Sequence, residues 1–189
     1  MASRQAGHAS RVRSPEIRCL KCVDALRAAL YLTKAMNSSK FRVVALPTDI
    51  ADEARQRATE GRPDYRTSVV DSPNSAPCRH CLQWAKPGER VILFPYGAIP
   101  SGRPYSETGP IFVHAESCQR YDEQCYPSQF REGRVFRAYN VSNDLIDACL
   151  PNGDEPEAVI EKLFENPEIT FVHARSVTHG CYTFRVERI

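Results

Sequence analysis

The sequence predicts an α+β fold, mainly an antiparallel sheet of about five to six strands with two to four helices. Three observations lead there. Segments that alternate apolar and polar residues outnumber those with helical spacing. The links between them are short, which favours antiparallel pairing over the long crossovers of a parallel sheet. Eight of the fourteen prolines fall between residues 61 and 110, where they disfavour any long helix.

In chain order, residues 41–46 (Phe-Arg-Val-Val-Ala-Leu) alternate as a strand, stopped by Pro47 and Thr48. Residues 49–59 read as a polar helix, acidic early and arginine-bearing late, as the helix dipole favours. Residues 61–77 are a loop with a weak strand at 67–70. A short helix is expected over 77–85, ended by the Pro87-Gly88 turn. Residues 90–96 make the clearest buried strand. A long loop over 97–108 leads to another apolar strand at 110–115. Residues 117–132 are irregular, and 134–141 alternate as a strand. Helices are expected at 143–149 and 155–165, separated by Pro151-Asn-Gly-Asp154. Two strands, 169–177 and 181–189, flank Thr178-His179-Gly180 as a hairpin.

The chain has 189 residues, 42% of them apolar and 25% charged, which excludes collagen, coiled coil and wholesale disorder. No run approaches the roughly 18 apolar residues that span a bilayer, so no membrane partner is expected. The first forty residues carry eight bases against two acids, whereas the remainder is mildly acidic. Sixteen of the seventeen aromatic residues follow residue 40, so a single α+β domain is expected over 41–189. Residues 1–40 form a basic N-terminal extension with three open readings. It is a disordered arm, a transit-like peptide, or a segment upstream of a translation start at Met36. A short helix fits residues 23–34. The stretch at 25–32 is broken by Arg27 and is no secretory signal. The main body has no basic stripe interleaved with aromatics, so nucleic acid is not an expected partner.

Eight cysteines without a secretory signal do not default to a disulfide framework. Cys149 reads as a small buried hydrophobe on a helix face. Cys78 and Cys81 form a Cys-x-x-Cys pair, able to hold one tetrahedral zinc ion at roughly 2.3 Å from each sulfur. His114 and Cys118 supply a second pair, giving Cys-x2-Cys followed by His-x3-Cys. Cys181 or His173 could replace either member. The rival reading is thiol chemistry, redox or acyl. Pro77 would set Cys78 at a helix N-terminus beside Arg79 and His80, where a thiol acidifies, and Cys78 or Cys81 would be the nucleophile. A third reading leaves the cysteines as packing in a non-catalytic interaction module. Cys19 and Cys22 cannot close a site locally. Glu107 lies in the long loop as a candidate base or ligand holder. Arg175 and Arg185, if they point inward, need an acidic partner or an anionic ligand. His80 is a candidate acid or base. No Ser/His/Asp order or paired carboxylates stand out.

Several segments together resemble a bacterial family. They are Pro77-Cys-Arg-His-Cys-Leu82, Pro87-Gly-Glu-Arg-Val-Ile-Leu93, Tyr105-Ser-Glu-Thr-Gly-Pro-Ile-Phe-Val-His-Ala115 with Cys118, and Gly180-Cys-Tyr-Thr-Phe-Arg-Val-Glu-Arg188. They are similar to the domain of unknown function 1203 over about residues 41–189, leaving the basic extension outside. The resemblance implies a small cytoplasmic bacterial domain and no particular activity. It marks Cys78, Arg79, Cys81, Glu107, Gly109, Pro110, His114, Cys181 and Arg185, with Cys125 as an extra cysteine and the partners of Cys118 open. The expectation is therefore a soluble, cysteine-rich domain with a structural zinc site or small polar pocket. Its metal candidates are Cys78, Cys81, His114 and Cys118. Arg79, His80, Glu107, Arg175, Cys181 and Arg185 are pocket candidates. The expected partner is a small molecule or a protein.

Overall fold

The computed structural model describes residues 40–189. Cys19, Cys22, Met36 and the expected helix at 23–34 lie outside the described residues. The described chain runs β1 (Phe41–Val44), α1 (Thr48–Thr59), β2 (Arg66–Val69), β3 (Arg90–Gly97), β4 (Thr108–His114), a 3-10 turn (Ser128–Phe130), β5 (Arg134–Tyr139), β6 (Leu145–Cys149), α2 (Pro156–Leu163), β7 (Phe171–Ser176) and β8 (Tyr182–Arg188).

The strands are antiparallel, but they make two sheets instead of one. Five strands pair in the order β1-β8-β7-β5-β6 and three in the order β2-β3-β4. Two α-helices stand among the described residues. Pro47 ends β1 and precedes α1, whose Asp49 and Arg57 lie at the ends the dipole prefers. Pro156 starts α2, where its missing N–H costs nothing.

Two expected helices are absent. Residues 143–149 carry β6 because Asn140 turns the chain first. Its Oδ1 accepts the backbone N–H of Ser142 and of Asp144, and Asn143 takes a left-handed φ of 64°. The hairpin lays Leu145–Cys149 along the edge of β5, with Cys149 half-buried against the main core. Residues 77–85 form a tight reversal in place of the other expected helix.

Alternation along the strands gives the larger sheet two unlike faces. One face carries Phe41, Val43, Phe136, Ala174, Phe184 and Val186, and α2 packs its Ile160 and Leu163 into the same cluster. Tyr126 and Phe130 close that core, with the Tyr126 and Phe184 rings 5.4 Å apart edge to face. The other face presents Arg137, His173 and Arg185, which sit directly opposite one another on β5, β7 and β8. The smaller sheet buries Ile92, Phe94, Ile111 and Val113 against Ala51 and Ala54 of α1 and against Tyr182. No helix among the described residues is long and apolar enough to cross a membrane.

Phe184 is fully buried, whereas Val69 on edge strand β2 is 63% exposed. Phe184→Ala is expected to cost about 3–5 kcal/mol in urea unfolding, and Val69→Ala no more than about 0.5 kcal/mol. Similar losses at both positions would show that the larger sheet is not the principal core.

Candidate metal centre

The site begins with a local reversal. Leu82 N–H donates to the Cys78 carbonyl (3.0 Å), Cys78 N–H to Gln83 O (2.9 Å) and Ala85 N–H to Ala76 O (3.0 Å). Pro77 and Trp84 bridge as antiparallel partners. A helix cannot form here, because Leu82 takes a left-handed φ of 54° and turns the chain back. That conformation costs about 1–2 kcal/mol. Leu82 is fully buried in the main core, which returns about 1.5–3 kcal/mol. Cys78 pairs in parallel with Phe112 of β4, so the reversal lies against the strand that ends in His114. Cys118 follows in the next loop.

The ligand atoms of Cys78, Cys81, His114 and Cys118 all lie within 4.8 Å of one another. Cys78 Sγ is 3.9 Å from Cys118 Sγ, and Cys81 Sγ is 3.4 Å from His114 Nδ1. A tetrahedral zinc site has edges of about 3.8 Å between sulfurs and about 3.6 Å between sulfur and nitrogen. The cluster has the size of one such ion.

The surroundings are ordered around these four groups. His114 turns Nδ1 inward and sets Nε2 3.4 Å from Glu89 Oε2, the carboxylate–imidazole arrangement that orients a metal-binding histidine. Arg55 donates from Nε to the His114 carbonyl at 3.2 Å and from Nη2 to Cys118 Sγ at 3.8 Å. His80 is buried, with Nδ1 3.3 Å from Cys118 Sγ and Nε2 3.0 Å from Thr48 Oγ1. Burial pushes the His80 ring below its usual range.

Protons in the cluster are unequally held. Hydrogen bonds from Cys118 and then Cys81 hold the Cys78 thiol far below the usual range. Cys81 is pushed up, through hydrogen bonds with Cys118 and Cys78. Hydrogen bonding to Cys118 and then Cys78 raises His114 to about 10. Three crowded sulfurs resist sharing negative charge unless a cation joins them. Cys78 is fully buried, so a substrate cannot reach it as a nucleophile without the reversal opening.

The other expected residues divide between structural roles and a second group. Arg79 is buried as a strut, donating from Nε to Tyr182 O (2.8 Å) and from Nη1 to Pro77 O (2.5 Å). Burial lowers it to about 10. Cys181 is not among the converging residues; its Sγ lies 3.7 Å from the His179 carbonyl in the β7–β8 turn. His173 is likewise outside the group, on the larger sheet. Glu107, Arg175 and Arg185 belong to that sheet's polar face, where Glu107 pairs with Arg175. The sequence reading missed Thr48, Arg55 and Glu89 around the thiols, and Arg137 on the sheet. Only the register of β3 with β4, which sets Val91 opposite His114, brings Glu89 near.

His173 is 1% exposed among the rings of Tyr139, Phe171 and Tyr182. Burial, then Arg185 from β8 and Arg137 from β5, push it down to about 3 from an ordinary 6.5. Below pH 6.5 the unfolded chain takes a proton that the folded chain refuses. Stability is therefore expected to fall as pH drops from about 6.5 toward 3, by at most about 1.4 kcal/mol per pH unit from this group. His173→Phe should flatten that part of the curve in urea unfolding at stepped pH; an unchanged slope would contradict a neutral buried imidazole.

Residues 75–188 match the family described as "Protein of unknown function (DUF1203)". No curated protein and no solved structure matches the chain. The matched span includes Cys78, Cys81, His114 and Cys118 and most of both sheets, and the chain belongs to this family.

Proposed function

We propose that Cys78, Cys81, His114 and Cys118 hold a structural zinc ion. The observation that carries this reading is the approach of three sulfurs and one imidazole nitrogen to within 4.8 Å, with Glu89 behind the imidazole. Thiolate and imidazole donors suit zinc better than magnesium or calcium, which take oxygen. All four tetrahedral positions come from protein side chains, leaving none open for a water or substrate, as in structural sites. Three thiolates and a neutral imidazole around a divalent ion leave one net negative charge. Arg55 offsets it beside Cys118, and the neutral His80 ring adds a hydrogen-bond contact to the same sulfur.

The ion's work would be mechanical. It would fasten the 78–82 reversal to the end of β4 and to the loop bearing Cys118. The described cysteines are all free thiols, which suits a reducing, cytoplasmic compartment. A thiol-dependent enzyme is the weaker reading, because Cys78 is buried and faces another sulfur.

Elemental analysis of protein purified without chelator is expected to find one zinc per chain. Cys78→Ser and Cys118→Ser should each lose the metal, while Cys125→Ser should keep it. A strong chelator should lower unfolding stability by several kcal/mol, since metal binding is linked to folding. Protein without zinc, whose melting ignores both chelator and added metal, would sink the proposal. Glu89→Gln is expected to weaken zinc binding roughly 10- to 100-fold in a competition titration. An unchanged affinity would remove Glu89 from the site.

A further inference from the structure

A second group of polar residues lies apart from the sulfur cluster, on the polar face of the larger sheet. Arg137, His173 and Arg185 form one row across β5, β7 and β8, and Arg175 follows two residues after His173. Glu107 reaches in from the β3–β4 loop, pairing with Arg175 and lying 3.5 Å from Arg137. Glu187 serves Arg42 at 2.7 Å and Arg185 at 2.8 Å, the latter close enough to pair but not aligned as a hydrogen bond. Four guanidinium groups thus share two carboxylates.

The same face holds two buried polar atoms without a hydrogen-bond partner, His173 Nδ1 and the Tyr139 hydroxyl. His173 is 1% exposed and Tyr139 is fully buried. The Arg137 guanidinium lies beside that hydroxyl without hydrogen-bond geometry. Orphaned groups of this kind are costly and uncommon in native folds, and a bound ligand is one of their standard causes. A groove of about 400 Å³ shares Arg185 and Glu187 with this group and is completed by Arg188 and by Pro167, Ile169 and Thr170 ahead of β7.

We propose that this face binds a small dianion, phosphate or a dicarboxylate, whose oxygens take the place of the Glu107 carboxylate between Arg137 and Arg175 and reach Arg185. With Glu107 displaced, Arg137 and Arg175 are left as two uncompensated positive charges, which set the ligand's charge. Paired guanidinium forks match carboxylate and phosphate oxygens, and the neutral imidazole and the phenol add donors without adding charge. Glu107, which is 45% exposed on a loop, acts as the internal occupant that the ligand displaces. The site is independent of the zinc ion and shares no residue with it.

The test is isothermal titration of the full chain with inorganic phosphate and, separately, with succinate, at pH 7.5 and constant ionic strength held by sodium chloride. Saturable one-site binding of at least one anion is expected. Phosphate alone assigns a phosphate ligand, succinate alone assigns a dicarboxylate, and both assign the shared dianion chemistry. Arg137→Gln and Arg185→Gln should each weaken binding about tenfold or more, as the loss of a charge-assisted contact does. Glu107→Gln should tighten it, because the competing carboxylate is gone. Arg90→Gln, at an exposed pair with Glu116, should change nothing. In wild-type protein labelled at histidine nitrogen, the His173 signal should move on anion addition while that of the exposed His179 stays. This reads the site even if an arginine variant fails to fold. No saturable binding of either anion, or binding weakened equally by Arg90→Gln, would overturn the proposal.

Discussion

The five residues from Cys78 to Leu82 reach β4, the exit of β1, the loop after Cys118, β8 and the cores of both sheets. Arg79 N–H donates to Phe112 O of β4, and Arg79 O accepts from Leu46 N–H at the exit of β1. The His80 carbonyl accepts from Tyr121 N–H in the loop after Cys118. The Arg79 side chain crosses to the Tyr182 carbonyl of β8. Leu82 belongs to the core of the larger sheet and Cys78 to that of the smaller one. A short segment, with Cys78, Arg79, His80 and Leu82 all buried, thereby joins two sheets. Its conformation includes a left-handed leucine and a buried guanidinium, both costly alone. Hydrogen bonds to backbone carbonyls and the burial of Leu82 offset those costs. A cross-link through Cys78 and Cys81 to His114 and Cys118 would hold the same segment.

Charge is arranged around that junction with some economy. The thiols gather beside Arg55 and a neutral His80, while the sheet beyond Tyr182 carries an excess of arginine moderated by Glu107 and Glu187. Arg79 is buried, and its guanidinium donates to the Tyr182 and Pro77 carbonyl oxygens. Burial costs fall hardest on unpaired charge, so the thiols keep Arg55 within reach, and the sheet arginines keep Glu107 and Glu187. His173 is the exception that illustrates the rule. Flanked by two guanidinium groups and three aromatic rings, it stays neutral and leaves Nδ1 without a partner.

Element type was legible where one period dominated. Strand β5 follows from alternation, β3 and β4 from short apolar runs, β7 and β8 from the turn between them, and α1 from acids placed early and arginines late. Residues 145–149 were not legible in this way. Leu-Ile-Asp-Ala-Cys suits either period, and the side chain of Asn140 settled the matter by turning the chain beside β5. Residues 77–85 misled for a similar reason. Their composition permits a helix, but pairing with Phe112 and the burial of Leu82 stabilise a reversal more than a single helical turn could.

The spacing of Cys78, Cys81, His114 and Cys118 was enough by itself to nominate those four residues, because sulfur and imidazole at short intervals are few and chemically pointed. Which residues surround them could not be read in that way. Glu89 meets His114 only through strand register, and Arg55 and Thr48 only because α1 packs against the smaller sheet. The division into two sheets was hidden for the same reason, since partner choice among strands depends on long-range packing that no local period encodes. Arg175 and Arg185 were visible as charges within apolar strands. That they share one face with Arg137, His173 and Glu107 was decided by the tertiary structure, where pairing between strands turns separate positions into one surface.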